Sequence, residues 1–337
     1  YRNEGKNMIS KDILQEVLIA ALSTGADFAE IFAEHTDEKS IYMIDSRVQN
    51  ISDRVISGVG IRVFKGCRCI SGCTTDMSRL GLLACAKKVA DTLSDSPTIS
   101  QVCLTERIFG DIHPIRIVPS SCKNQTKIDL LKEAYFSAKE YHERISQVSG
   151  VFLDVDHKIL VANSEGLFAQ DRQIRTRLVI NAVASKEGEN QTGSCSPGRR
   201  MGLEMFDLFS PKEIGQKAAK QALVMLDADY IKAGTMPVAI ENGFGGVIFH
   251  EACGHSLEAT SVAVGRSQFA GKLGQKIAGE KVTAVDDGTI PNAWGSINID
   301  DEGHPSKRNV LIENGVLKSY LIDKLNGRRM NMESTGS

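Results

Sequence analysis

Two blocks of alternating apolar and polar residues, each entered through a helical pattern, constrain this chain more than any other feature. In the first block, Phe28 to Glu34, Ser40 to Ile44, Val48 to Ile51, Val55 to Phe64 and Cys67 to Thr74 alternate with period two, as strands with one buried face do. Lys65-Gly66 divides the last two segments as a hairpin turn. Ahead of the block, Ile13, Leu14, Val17, Leu18 and Ala21 recur at three and four. Ser10 is placed to cap that helix and Gly25 lies just past its end. Asp76 is placed to cap a second helix over residues 78–93. A helix, strands and a helix in that order predict helices on one face of an antiparallel sheet.

A second run of elements follows, without a sequence repeat of the first. Ile128, Leu131, Tyr135 and Ala138 mark an amphipathic helix over 126–145. Strand patterns follow at Val148 to Asp154, Lys158 to Ala162, Phe168 to Asp171 and Thr176 to Ser185, with a turn at Ser164-Glu165-Gly166. Residues 94–124, rich in Pro, Ser and Thr, are a loop-like connection, and the polar stretch 186–200 is expected to be a mobile loop. Ser210-Pro211-Lys212-Glu213 predicts a capping box with proline at the first helical position, opening a helix to Leu226. Met236 to Glu241 predicts a short strand, and a helix begins after the break at Asn242 to Gly246. Asn314-Gly315 marks a hairpin within 310–322. The expected fold class is α+β. Residues 1–228 form an N-terminal region of helices packed on antiparallel sheets, divisible into modules at about 1–95 and 120–228. Residues 229–337 form a mostly β C-terminal domain carrying one helix.

Charge removes one class of partner. Forty basic residues against 42 acidic ones leave a net charge of −2, without the basic excess of an electrostatic nucleic-acid binder. No apolar run approaches the length of a membrane span. The polar start, Tyr1 to Asn7, lacks the apolar centre of a signal peptide, and Met8 is the expected natural start. A cytoplasmic location is therefore expected. Eight cysteines without a secretory signal are read as reduced thiols. Cys67, Cys69 and Cys73 are expected on one buried strand face, as small apolar residues rather than a metal or redox site.

The chemistry concentrates in His250-Glu251-Ala252-Cys253-Gly254-His255. Neutral imidazoles are zinc ligands, and a carboxylate beside them can take a proton from water and hand it to a leaving amine. In the common His-Glu-x-x-His pattern the histidines are four apart and share a helix face. Here they are five apart. On a regular helix that is a rotation of about 140° and a rise of about 7.5 Å, too far for one ion. The helix must end or widen between them. Gly254 is suited to a left-handed terminating conformation, and a π-bulge is the alternative. Glu258, three residues past His255, is a candidate to orient that imidazole. Cys253 is read as a packing residue. Asp286, Asp287, Asp300, Asp301 and Glu302 adjoin Gly288 and Gly303, so they are read as turn residues rather than a calcium loop. His304 is read as a surface residue and Trp294 as packing.

Gly245 to Ala259 resembles the signature segment of the TldD/PmbA peptidases. Val285 to Thr289, Trp294-Gly295-Ser296, Asp300 to Gly303 and Val310 to Leu317 are similar to that family in order and spacing, as is Gly58 to Val63. The resemblance spans nearly the whole chain and implies a TldD-type subunit, since PmbA-type partners usually lack the paired histidines. It implies a zinc-dependent peptidase acting on small or unfolded peptides with low sequence preference. His250 and His255 would be the ligands and Glu251 the acid/base residue that activates the water, with 229–337 as the catalytic domain. It further implies a third zinc ligand, a cysteine, in a segment beyond Ser337, and a homodimer or a heterodimer with a PmbA-type subunit. The alternative is a non-catalytic subunit of such a complex that binds peptide or partner.

Overall fold

The computed structural model describes residues 8–97, 99 and 101–337. The polar N-terminal stretch 1–7 and two positions of the 94–124 connection lie outside the described residues. Helix α1 (Lys11–Leu22) leads into strands β1 (Phe28–Ile44), β2 (Arg47–Lys65) and β3 (Arg68–Thr74), then helix α2 (Arg79–Ala90). After the two-residue β4 (Thr105–Glu106) come helix α3 (Asn124–Lys139), strands β5 (Ile145–Asn163), β6 (Leu167–Lys186), β7 (Glu189–Cys195) and β8 (Gly198–Arg199), and helix α4 (Pro211–Leu226). All eight strands join one sheet in the order β3-β2-β1-β5-β6-β4, with β7 and β8 also on β6. Every pairing in it is antiparallel except β4 with β6.

One face of this sheet carries all four helices. Ala29, Ile31 and Ala33 of β1 pack with Leu14, Val17 and Leu18 of α1 and with Leu82 and Val89 of α2. Farther along the same face of β1, Ile41 and Met43 join Leu131 and Tyr135 of α3 and Ile214 and Ala218 of α4. Odd-numbered residues of β1 therefore serve both clusters, as period-two alternation requires. Helices α3 and α4 approach closely: a Cβ on Gly215 would lie 2.0 Å from the Ala134 carbonyl oxygen. The other face of the sheet meets the C-terminal region, where Ile159, Val161 and Ala169 pack with Ile299.

That region holds short helices α5 (Val247–Phe249) and α6 (Ala259–Val262), a three-stranded antiparallel sheet of β9 (Ala284–Asp287), β10 (Arg308–Glu313) and β11 (Val316–Leu317), and helix α7 (Lys324–Met330). Leu257, Phe269, Leu311, Ile312, Leu317 and Tyr320 form its own core. Buried Arg200 ties it to the large sheet, donating to the Ser296 carbonyl at 3.0 Å and to Asp171 at 3.0 Å. No helix among the described residues is long and apolar enough to cross a membrane.

Several local expectations change. The separate strand segments of each block merge into strands of 17 to 20 residues. Polar residues such as His35 to Lys39 looked like breaks, but β1 is paired on both sides and holds them extended. Their side chains find partners across the strands, Lys39 with Asp53 and Glu34 with His157. The stretch 186–200 is not a loop: Glu187 and Gly188 turn with positive φ, and β7 returns along β6. Helix α2 is capped by Ser78, which accepts from the Gly81 N–H, while Asp76 accepts from the Ser78 N–H. Ser210 precedes α4 without a side-chain capping bond. Met236 to Glu241 is not a strand; these residues are exposed and no described strand lies beside them. Cys67, Cys69 and Cys73 are exposed rather than buried. On β3, Gly72 faces α2, since a Cβ there would lie 2.8 Å from Val89. Cys69 and Cys73 alternate to the opposite, uncovered face of this edge strand, and Cys67 sits in the preceding turn.

Candidate metal centre

The His/Glu run is delivered by a change of helix type at almost every turn. Gly243, at φ 89°, opens a 3₁₀ turn over Phe244–Gly246. One α turn (Val247–Phe249) follows, then a π turn over His250–Gly254, then a 3₁₀ turn over His255–Leu257. The N–H of His255 donates to the carbonyl of His250, an i→i+5 bond. This bond absorbs the extra residue between the histidines and brings positions five apart to one side. Gly254 stays right-handed at φ −56°, ψ −56°. The left-handed termination is thus overturned and the π-bulge is what forms, because widening one turn aligns the histidines without ending the helix between them.

The far end of the run is fixed. Leu257 is buried in the C-terminal core, and Glu258 turns to extended geometry at φ −74°, ψ 133°. Leu321 brackets it: its N–H donates to the Leu257 carbonyl at 3.0 Å, and its carbonyl accepts from Ala259 at 2.8 Å. Glu258 stands at the N-cap of α6 but caps nothing. Its Oε1 lies 2.8 Å from Nδ1 of His255. With Nδ1–H donating to that carboxylate, Nε2 of His255 keeps its lone pair.

The two imidazole rings meet edge to face, 4.5 Å apart at 67°. Nε2 of His255 is 3.8 Å from Oε2 of Glu251. One ligand atom from each of His250, Glu251 and His255 lies within 4.8 Å of the other two, the only such group of metal-ligating side chains among the described residues. Two donors on one zinc ion stand at most ~4.2 Å apart, so small rotamer changes close this set on an ion. Two imidazoles and a carboxylate are donor types that zinc accepts. All three side chains are exposed, Glu251 at 66% and His255 at 51%.

The other candidates fall elsewhere. Cys253 is half-buried against the C-terminal core and does not join the group. Oδ1 of Asp300 accepts from the N–H groups of Glu302 and His304, and Oδ1 of Asp287 accepts from that of Thr289, which is turn chemistry. Trp294 packs over Gly198 and stacks with Arg177 at 5.5 Å. His304 is held by its backbone at the Asp300 turn and lines a different cleft, with Glu165 and Lys324. Sequence reasoning passed over a buried charge group at the seam between sheet and C-terminal region. Glu30 of β1 and Arg62 of β2 pair across the strands at 2.8 Å, and Arg62 also binds Glu302. Burial raises the Glu30 carboxyl to about 7, against the pull of Arg62, with Glu302 adding to the rise. Arg62 lies in the Gly58 to Val63 segment and Glu302 in the Asp300 to Gly303 segment that carry the family resemblance, but nothing in the sequence pairs either with Glu30.

Three domain descriptions of the PmbA/TldA metallopeptidases match the chain: domain 1 over residues 29–93, the central domain over 119–226 and the C-terminal domain over 233–337. A Metalloprotease TldD homolog from Haemophilus influenzae is 32% identical over 322 residues, covering 92% of this chain and 66% of that protein. The chain thus spans just under two thirds of the length of that relative. A Metalloprotease from Methanothermobacter thermautotrophicus is 30% identical over 337 residues, covering 98% of this chain and 71% of its own. Among solved structures, a candidate modulator of a DNA gyrase from Thermotoga maritima superposes with a TM-score of 0.80 at 22% identity, covering 97% of this chain and 74% of that one. TldE from Thermococcus kodakarensis superposes with a TM-score of 0.74 at 22% identity, over 95% and 72% of the two chains. The α+β fold is shared with both. By these matches over most of its length, the chain belongs to the TldD/PmbA metallopeptidase family.

Proposed function

We propose that this chain carries the metal-binding half of a zinc peptidase site that cleaves small or unfolded peptides with low sequence preference. The observation that carries the reading is the convergence of His250, Glu251 and His255 within 4.8 Å on a π turn. His250 and His255 would hold the ion, and a cysteine from a segment beyond Ser337 would complete the set. Zinc, when bound, polarises a peptide carbonyl and lowers the pKa of water towards neutrality. Glu251 would take a proton from the attacking water and return it to the leaving amine. Glu258 would hold His255 in the Nδ1–H form. Residues 229–337 would form the catalytic domain and 1–228 the scaffold that encloses substrate. The working form would be cytoplasmic, a homodimer or a heterodimer with a PmbA-type subunit, and free of nucleic acid.

Zinc content and peptide cleavage of the protein with Glu251→Gln test this reading together. One zinc per chain with at least a hundredfold loss of cleavage is the expected result. Unchanged cleavage removes Glu251 from the role. Absence of stoichiometric zinc with both histidines intact would favour a subunit that binds without cleaving.

A further inference from the structure

A cavity of about 520 Å³ lies between the large sheet and the C-terminal region, and it shares no residue with the His250–Glu251–His255 group. The sheet contributes His157 of β5 with Gln173 and Arg175 of β6, and the C-terminal region contributes Ile297, Asp301 and Ile322 among others. Gln173 and Arg175 are two apart on a strand and so point to one face, about 6.6 Å from each other along it. Gln173 is only 4% exposed, and its amide has no hydrogen-bond partner among the described residues, yet the amide is not sealed off from the cavity. A buried amide in that condition calls for a partner. Arg175 donates from Nε to the Trp294 carbonyl at 3.0 Å. That bond fixes the guanidinium and leaves Nη1 and Nη2 without partners among the described residues.

The other charged groups on the cavity are answered within the protein. Arg62 pairs with Glu30 and Glu302. Oδ1 of Asp300 takes two backbone N–H groups, Asp323 caps α7, and His157 pairs with Glu34 at 3.2 Å. Asp301 is exposed and lies in the field of His157 and Arg62. None of these acids reaches Arg175. The charges that act on its guanidinium are Arg200 and Asp171, and burial and Arg200 hold it below its ordinary value. Asp171 is already bonded to Arg200 at 3.0 Å and to Asn298 at 2.8 Å. Two guanidinium groups thus share one committed carboxylate, and the one that faces the cavity asks for an anion. Nη1 and Nη2 are spaced for the two oxygens of a carboxylate. An amide such as that of Gln173 matches both the N–H and the C=O of a peptide group. Ile297 and Ile322 offer an apolar surface to a side chain. We infer that this cavity binds the C-terminal end of a short peptide, its carboxylate on Arg175 and a neighbouring peptide group on Gln173.

The test titrates N-acetyl-alanyl-leucine, which ends in a free carboxylate, into the purified protein by calorimetry, with a chelator present so that the metal centre takes no part. Saturable one-to-one binding is expected, weakened at least tenfold when the same peptide ends in a carboxamide. Butyrate carries the carboxylate without a peptide group and is expected to bind at least tenfold more weakly. Arg175→Met is expected to weaken binding at least tenfold. Gln173→Glu keeps Arg175 and the side-chain shape but sets a like charge beside the ligand, so it is expected to abolish binding while the melting temperature shows a folded protein. Equal affinity for acid and carboxamide, or retained affinity in both variants, overturns the site. Inorganic phosphate that binds as tightly as the peptide and displaces it reduces the cavity to a bare anion site and overturns the assignment to a chain end. Binding seen only without the chelator belongs to the metal centre and overturns it too.

Discussion

Glu258 and His255 are joined by a bond of 2.8 Å between Oε1 and Nδ1, and the backbone on the far side of Glu258 is held by Leu321. The imidazole is therefore oriented from the folded core and not from the exposed helix that presents it. Removing an orienting carboxylate typically costs 10–100-fold in metal affinity. Glu258→Ala is expected to weaken zinc binding by about that factor, measured by competition with a chelator, while melting temperature stays near the parent value. An unchanged zinc affinity would place the orientation elsewhere.

Gly254→Ala is expected to be tolerated. Its φ of −56° suits any residue. A Cβ there would lie 3.5 Å from Nδ1 of His250, an ordinary contact. Alanine gains about 0.5–1 kcal/mol over glycine within a helix. Denaturant unfolding should show equal or higher stability and zinc titration an unchanged stoichiometry. A loss of both would mean that the left-handed conformation is used after all.

Much of this architecture was legible beforehand. The helical spacing of Leu14, Val17, Leu18 and Ala21 gave α1, and period-two alternation gave the strands and the α+β class. The requirement for a break or widening between His250 and His255 followed from helix geometry alone. Which of the two occurs did not, because the choice depends on where Leu257 is buried, a tertiary fact. Polar strand residues hid the length of β1 for the same reason: two flanking strands, far away in sequence, hold them. Arg200 lay in a stretch that read as loop, and its role rests on Asp171 and Ser296, 29 and 96 residues distant.

Arg200→Met is expected to cost about 3–5 kcal/mol, since it leaves Asp171 as a buried charge without its partner. Both side chains of the pair are more than nine-tenths buried. Urea denaturation gives the number. The double variant with Asp171→Asn should recover part of it, which would separate the lost ion pair from lost packing.

Stability should vary with pH through Glu30. The folded protein holds this carboxyl protonated up to about 7, against an ordinary value of 4.5. Between those values the native state carries the extra proton, so raising the pH there favours unfolding. The contribution is greatest below pH 4.5, falls as pH rises and levels off above about 7. Glu30→Gln should flatten this window in difference curves of unfolding free energy against pH. A parallel pair of curves would contradict the raised value.

Gly215→Ala is expected to destabilise by about 1–3 kcal/mol. The added methyl meets the Ala134 carbonyl, which is backbone and can yield only if α3 and α4 separate. Thermal unfolding monitored by circular dichroism would show it, and an unchanged midpoint would mean that the two helices slide freely.

The π turn also sets a rule about length. Leu257 and Glu258 are pinned to Leu321, so the downstream end of the run cannot rotate. Inserting a further residue between Glu251 and His255 would turn everything upstream by about 100°. His250 and Glu251 would swing off their partner while His255 stayed in place. Exposed Ala252 can therefore exchange its side chain freely while Cys253 is held by its packing, and an added residue in this stretch would throw the site out of frame.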